Sequence, residues 1–167
     1  MFEVNIYLET SMKGPGTRKG WYAAVIEYHT KKHGTQTREV FGQETEITYH
    51  KSVLLGFLEA LKILNKECIL TVYTDSVYLV SGFNNHLNRW EQNGYKNAKD
   101  EDIKNQSEWQ QITMLRKHHK IQFAYTKRHC YSSWISSEAE KRLKTVENSV
   151  ENTENSASKG EEQKGEH

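Results

Sequence analysis

The stretch ECILTVYTDSVYLVSGF, residues 67–83, decides how the chain is read. Its first half, Cys68 to Thr74, is a short apolar, β-branched run of the kind that forms a buried strand. Its second half, from Ser76 onward, spaces apolar residues as a helix does. Between them stands Thr74-Asp75-Ser76. An acid at a strand end either holds a cation or caps the next helix, and for a lone Asp the cap is favoured. A second acid shifts that balance. In FEVNIYLET, residues 2–10, Phe2, Val4, Ile6 and Leu8 alternate with Glu3, Asn5, Tyr7 and Glu9, so Glu9 shares a face with Asn5 and Tyr7, as Asp75 does with Thr71 and Tyr73. If the two strands are neighbours in suitable register, both carboxylates leave one sheet face near the strand ends, where open α/β sheets place ligand sites. Carboxylates placed so close repel unless a cation or a proton lies between them.

Working outward, a Gly/Pro loop, SMKGPGTRKG, holds the chain's one proline, Pro15, and precedes two further strands, WYAAVIEYHT and TREVFGQETEIT, joined by a KKHG turn. HKSVLLGFLEALKIL puts Val53, Leu54, Phe57, Leu58, Leu61 and Leu64 on one helical face, and His50, one turn before Leu54, is expected on the same inward side. SVYLVSGFNNHLNRW reads as a helix bent at Gly82. EQNGYKNAKDEDIKNQ is a polar loop, SEWQQITMLRKHH a helix capped by Ser107, KIQFAYTKRH a fifth strand, and SSEAEKRLKTV a last helix begun by Ser136 or Ser137. The order describes an α/β domain over 1–144. From Thr145, TVENSVENTENSASKGEEQKGEH has almost no large apolar residues and is expected to be a disordered, mostly acidic tail over 145–167.

Composition narrows the function classes. The 167 residues suffice for one core without staples, and a net charge of +1 with 27% charged residues excludes a global basic field, so any nucleic-acid surface is local. Cys68 and Cys130 show no metal spacing, no apolar leader follows Met1, and Gly56, Glu59 and Lys62 break the longest apolar run; a cytoplasmic, monomeric protein with no membrane span is expected.

With these landmarks in order, the chain resembles the type 1 ribonuclease H family over roughly residues 3–144. The resemblance is carried by VNIYLETS, GPG and GWYAAVIEY in the first hairpin, LEALK in the first helix, TDSVYLVSGF at the fourth strand, RWEQNGYKNAKDEDIKNQSEWQQI where the family carries its basic protrusion, and YTKRHCYSSW around the family's loop histidine. It implies a ribonuclease-H-like fold: a five-stranded mixed sheet, three antiparallel strands then parallel additions, flanked by helices. It also implies hydrolysis of the RNA strand of an RNA–DNA hybrid by two magnesium ions about 4 Å apart, held by four carboxylates.

Carried over residue by residue, Asp75 matches the family's strand-four aspartate, Glu9 replaces the strand-one aspartate, His50 takes the helix glutamate's position, and Ser137 or Glu138 stands nearest the last acid. His129 takes the loop histidine's position, after Arg128 in place of a glycine and before Cys130. Imidazole is a poor magnesium ligand and removes a negative charge, so the implied metal set of Glu9, His50, Asp75 and Glu138 suits manganese or zinc better, and magnesium activity is expected to be weakened or lost. The bland reading of His50 is a hydrogen-bonded residue at the core edge, and of His129 an ordinary loop histidine. In the protrusion, Tyr95, Lys96, Lys99 and Lys104 remain as nucleic-acid contacts, with Lys13, Arg18 and Lys19 in the first hairpin, but Glu91, Asp100, Glu101 and Asp102 dilute them. Trp90 and Trp109 read as packing residues more than as base contacts. The leading expectation is a nucleic-acid-binding relative of the hybrid nucleases with a divergent site. Its rivals are a working hybrid endonuclease using Glu9, Asp75 and Glu138 with magnesium or manganese, and a non-catalytic module that binds a protein partner through scaffold and tail.

Overall fold

The structure is a computed structural model that describes residues 1–143. The expected domain boundary at 144 and the tail over 145–167 lie outside the described residues. Five strands, β1 (Phe2–Thr10), β2 (Arg18–Thr30), β3 (Gly34–Ile47), β4 (Cys68–Thr74) and β5 (Lys120–Tyr125), form one sheet in the order β3-β2-β1-β4-β5. The first three pair antiparallel, and β4 and β5 are added in parallel beyond β1, as the resemblance implied.

Alternation along β1 is resolved by burial on both faces. Val4, Ile6 and Leu8 pack with Leu54, Phe57, Leu58 and Leu61 of helix α1 (Tyr49–Ile63), while Tyr7 packs with Ala23, Val25 and Ile135 on the opposite face. Burying a side chain such as Phe57, which is fully covered, is worth about 1.5–3 kcal/mol, and this layer fixes α1 against the sheet. The helix starts where Thr48 caps it, its Oγ1 accepting from the Lys51 N–H at 3.2 Å.

After β4 the chain runs through α2 (Val77–Ser81), a π-helical turn (Gly82–His86) and α3 (Leu87–Gln92). The bend expected at Gly82 is therefore a π turn, and its first position has room for glycine alone: a Cβ at Gly82 would lie 2.6 Å from Cη2 and Cζ2 of Trp109, which is fully buried in α4 (Gln106–Arg116). Two helix starts differ from expectation. Ser107 lies inside α4, which begins after Asn105 in the left-handed region (φ 57°), whose side chain donates to the Tyr78 hydroxyl. The last helix, α5 (residues 132–143), begins four residues before Ser136, because the buried Ile135 and Ala139 must face the sheet. No helix of the described residues is long and apolar enough to cross a membrane.

Candidate active site

The parallel register of β1 with β4 pairs Asn5 with Thr71 and Tyr7 with Tyr73, and the two tyrosine rings stack at 4.5 Å. Two residues further on come Glu9 and Asp75, the pair that the alternation singled out. Asp75 is not the helix cap. Ser76 caps α2, its Oγ accepting from the Leu79 N–H at 3.0 Å, while Thr74 Oγ1 accepts from the Ser76 N–H. Relieved of that task, Asp75 is exposed and its Oδ1 accepts a 2.5 Å hydrogen bond from the Tyr49 hydroxyl. Burial, and next the Asp75 carboxylate, push the Tyr49 phenol well above its ordinary range, so it remains a donor.

Glu9 and Asp75 open onto one cleft of about 310 Å³ between the strand ends, α1 and α5. Helix α1 lines it with Tyr49, Ser52, Val53 and Gly56, a set at i, i+3, i+4 and i+7. None is an acid. Ser52 Oγ is 2.7 Å from Thr10 Oγ1, and both are occupied with each other and with backbone carbonyls. His50, one residue after Tyr49, is rotated by about 100° from that stripe. It does not line the cleft, is exposed, and stacks on Tyr78 at 4.1 Å. Partial desolvation, then the Lys104 charge, lower its pKa. The expectation of an inward His50 is corrected by helix phase: starting α1 at Tyr49 gives the cleft to Tyr49 instead.

Helix α5 supplies Ser132, Ser136 and Glu140. Ser132, 5% exposed, donates to Glu9 Oε1 at 2.6 Å and accepts from the His129 backbone N–H at 3.0 Å. Glu138 is turned away from the cleft. It pairs with Arg142 at 3.1 Å, and Arg142 lies over the Phe41 ring at 4.2 Å and reaches Glu39 at 3.4 Å. The earlier start of α5 accounts for the difference, since Ser136 and Glu140, one turn apart, share the cleft side. His129 does reach the site, but not as a loose loop residue. Its side chain is 4% exposed, with Nε2 at 2.9 Å from the Leu8 carbonyl and 3.4 Å from Glu9 Oε1, while Nδ1 accepts from the Tyr131 N–H. That acceptance places the proton on Nε2.

Thus the structure brings Glu9, Asp75 and His129 together and leaves out His50 and Glu138. Lys13, Lys127 and Arg128 line the same cleft as Glu9, Asp75 and Glu140, so cations and anions match in number. Among the described residues no three His, Cys, Asp or Glu side chains converge closely enough to hold one metal ion. The donors present, two carboxylates already engaged by hydroxyls and one more on α5, do not fit a two-ion carboxylate cage. Sequence reasoning missed Tyr49, Ser132 and Glu140; the Thr48 cap was the signal that would have set the α1 phase and so found Tyr49.

Of the expected nucleic-acid contacts, Lys13 lies at the cleft. Lys96 is tied to Asp102 at 2.8 Å across an isolated bridge between their backbones. Lys99 and Glu101 donate their N–H groups to Asn97 Oδ1, and Tyr95 takes a left-handed backbone (φ 60°) with its N–H on the Trp90 carbonyl, so this segment is built on its own hydrogen bonds. Lys104 lies toward His50. Trp109 is core, its Nε1 donating to the Tyr78 hydroxyl at 3.0 Å, and Trp90 packs on it at 5.3 Å.

Comparison with known proteins agrees with this architecture. A ribonuclease H from Acetivibrio thermocellus is 35% identical over 130 residues, 77% of this chain and 84% of that protein. One from Cupriavidus necator is 33% identical over 129 residues, 77% and 85%. Among solved structures, a type 1 ribonuclease H with the type 2 active-site motif superposes with a TM-score of 0.65 at 23% identity, over 77% of this chain and 64% of that one. A foamy viral protease–reverse transcriptase in complex with an RNA/DNA hybrid gives 0.59 at 17% identity, over 77% of this chain and 18% of that one; both share the fold. The family model for RNase H matches residues 2–157, and the chain belongs to the ribonuclease H family.

Proposed function

We propose that this protein binds RNA–DNA hybrids through a ribonuclease H cleft whose magnesium-dependent cleavage of the RNA strand is weakened or lost. One observation carries the reading: α1 offers the cleft Tyr49, Ser52, Val53 and Gly56, and no carboxylate. The family's chemistry draws on divalent ions that activate water and neutralise charge on the phosphoryl group being transferred. In this chain Glu9, Asp75 and Glu140 are the carboxylates that line the cleft, but they do not converge on one ion, and that shortfall favours weak occupancy.

The rest of the cleft suits a nucleic-acid backbone. Lys13, Lys127 and Arg128 can neutralise phosphates without naming a base, a contact whose strength falls as salt rises. His129 is anchored on the β1 backbone, its Nε2 donating to the Leu8 carbonyl at 2.9 Å, and so is not free to follow a leaving product. The test is fluorescence anisotropy of a labelled hybrid over a salt series in magnesium. Binding that weakens linearly with the logarithm of salt is expected. No binding even at low salt overturns the proposal and favours the rival reading, a module for protein partners.

A further inference from the structure

We propose that the hydroxyls of Tyr49 and Ser132, one on each strand-end carboxylate, take the place of a cation there, and that removing them raises the affinity of the cleft for a divalent ion. The inference rests on the reading of the cleft just given, and extends it to the residues that set its metal affinity. Glu9 and Asp75 leave adjacent strands on one face and need compensation. Each receives one short O–H donor: Tyr49 to Asp75 Oδ1 at 2.5 Å, and Ser132 to Glu9 Oε1 at 2.6 Å. These are the lengths of charge-assisted hydrogen bonds, the strong class.

Both donors are themselves fixed. Ser132 is buried, and its oxygen already accepts from the His129 N–H, so its proton is left for Glu9. Tyr49 sits in the first turn of α1, locked by the Thr48 cap and by the Ser52 hydroxyl on its carbonyl. His129 lies 3.4 Å from Glu9 Oε1, but its Nε2 proton is given to the Leu8 carbonyl at 2.9 Å. The donors come from α1 and α5, so each carboxylate has a hydrogen-bond partner without a metal, and an entering ion must compete with those bonds. Without the hydroxyls, Glu9 and Asp75 keep their charge and lose their partners, which is the condition under which a hard cation is taken up.

The experiment uses the full chain and manganese chloride alone, reading thermal unfolding and the free-ion EPR signal for wild type, Tyr49→Phe, Ser132→Ala and the double variant. Each variant is expected to melt lower than wild type without metal, and manganese is expected to restore the variants while leaving wild type unmoved. The double variant is expected to bind the ion about tenfold more tightly than wild type. Adding Asp75→Asn to it should abolish the gain. Variants that bind manganese no more tightly than wild type, or more weakly, overturn the inference; in the second case the hydroxyls orient ligands. Should the double variant not fold, Tyr49→Phe, which keeps the ring, decides alone. Cleavage of a hybrid by wild type would overturn the proposed function and leave this comparison standing, so the two fail separately.

Discussion

Substituting Gly82 by Ala tests the packing that holds the helical side of the cleft. The added Cβ would lie 2.6 Å from Cη2 and Cζ2 of Trp109, where ordinary contact is 3.4–4 Å. Trp109 cannot retreat freely, because it is fully buried, bonded through Nε1 to the Tyr78 hydroxyl at 3.0 Å, and packed on Trp90. Overpacking of this kind costs about 1–3 kcal/mol, and replacing Gly by Ala within a helix returns about 1 kcal/mol, so a net loss of up to about 2 kcal/mol is expected. Urea unfolding should show a lower midpoint with an unchanged slope. The contact itself is isolated by a cycle with Trp109→Phe, which lacks the two clashing atoms: in that background Gly82→Ala should cost nothing or stabilise. An equal cost in both backgrounds, or a gain in wild type, would refute the argument. The same strain should reach His50, which stacks on Tyr78.

Three other outcomes follow from the geometry. Glu140→Gln should weaken any residual manganese-dependent cleavage, whereas Glu138→Gln, which removes a surface pair with Arg142, should leave it unchanged and alter stability by no more than about 1 kcal/mol; initial rates on a labelled hybrid separate them. The Glu27 carboxyl is held below its ordinary 4.5 chiefly by the Tyr131 hydroxyl at 2.5 Å, so its stabilising contribution is complete above pH 4.5 and is lost as pH falls through the depressed value. Tyr131, pushed up to about 12 chiefly by the same bond, contributes stability present below pH 10 and lost as pH rises toward 12; Tyr131→Phe should flatten both limbs of a stability–pH profile. Asp102→Asn frees Lys96 from its 2.8 Å partner and should tighten hybrid binding, steepening the slope of log affinity against log salt by about one.

What could be read in advance was what depends on local periodicity. Alternation along Phe2–Thr10 placed Glu9 on the Tyr7 face, and the run from Cys68 to Thr74 coincides with β4, because burial on both faces of a central strand leaves its register little freedom. The glycine at 82 marked a real irregularity, although its partner, Trp109, lies 27 residues away in sequence and could not be named. The site was less legible, since its residues depend on helix phase. A shift of one residue at the start of α1 exchanges His50 for Tyr49 at the cleft, and the earlier start of α5 exchanges Glu138 for Ser136 and Glu140. A cap fixes such a phase, and for α1 it is Thr48, whose Oγ1 accepts from the Lys51 N–H. Ser132 was also hidden because its partner, Glu9, is 123 residues away.

The most direct test of the central claim is the fate of the RNA strand in a labelled hybrid incubated with the full chain, first in magnesium and then in manganese, with Asp75→Asn in parallel. The account predicts a hybrid that is bound but intact or only slowly cut in magnesium, with any faster cutting in manganese lost in the variant. Rapid magnesium-dependent cleavage that disappears with Asp75→Asn would contradict it, and would show that Glu9, Asp75 and Glu140 support the family's chemistry without an acid from α1.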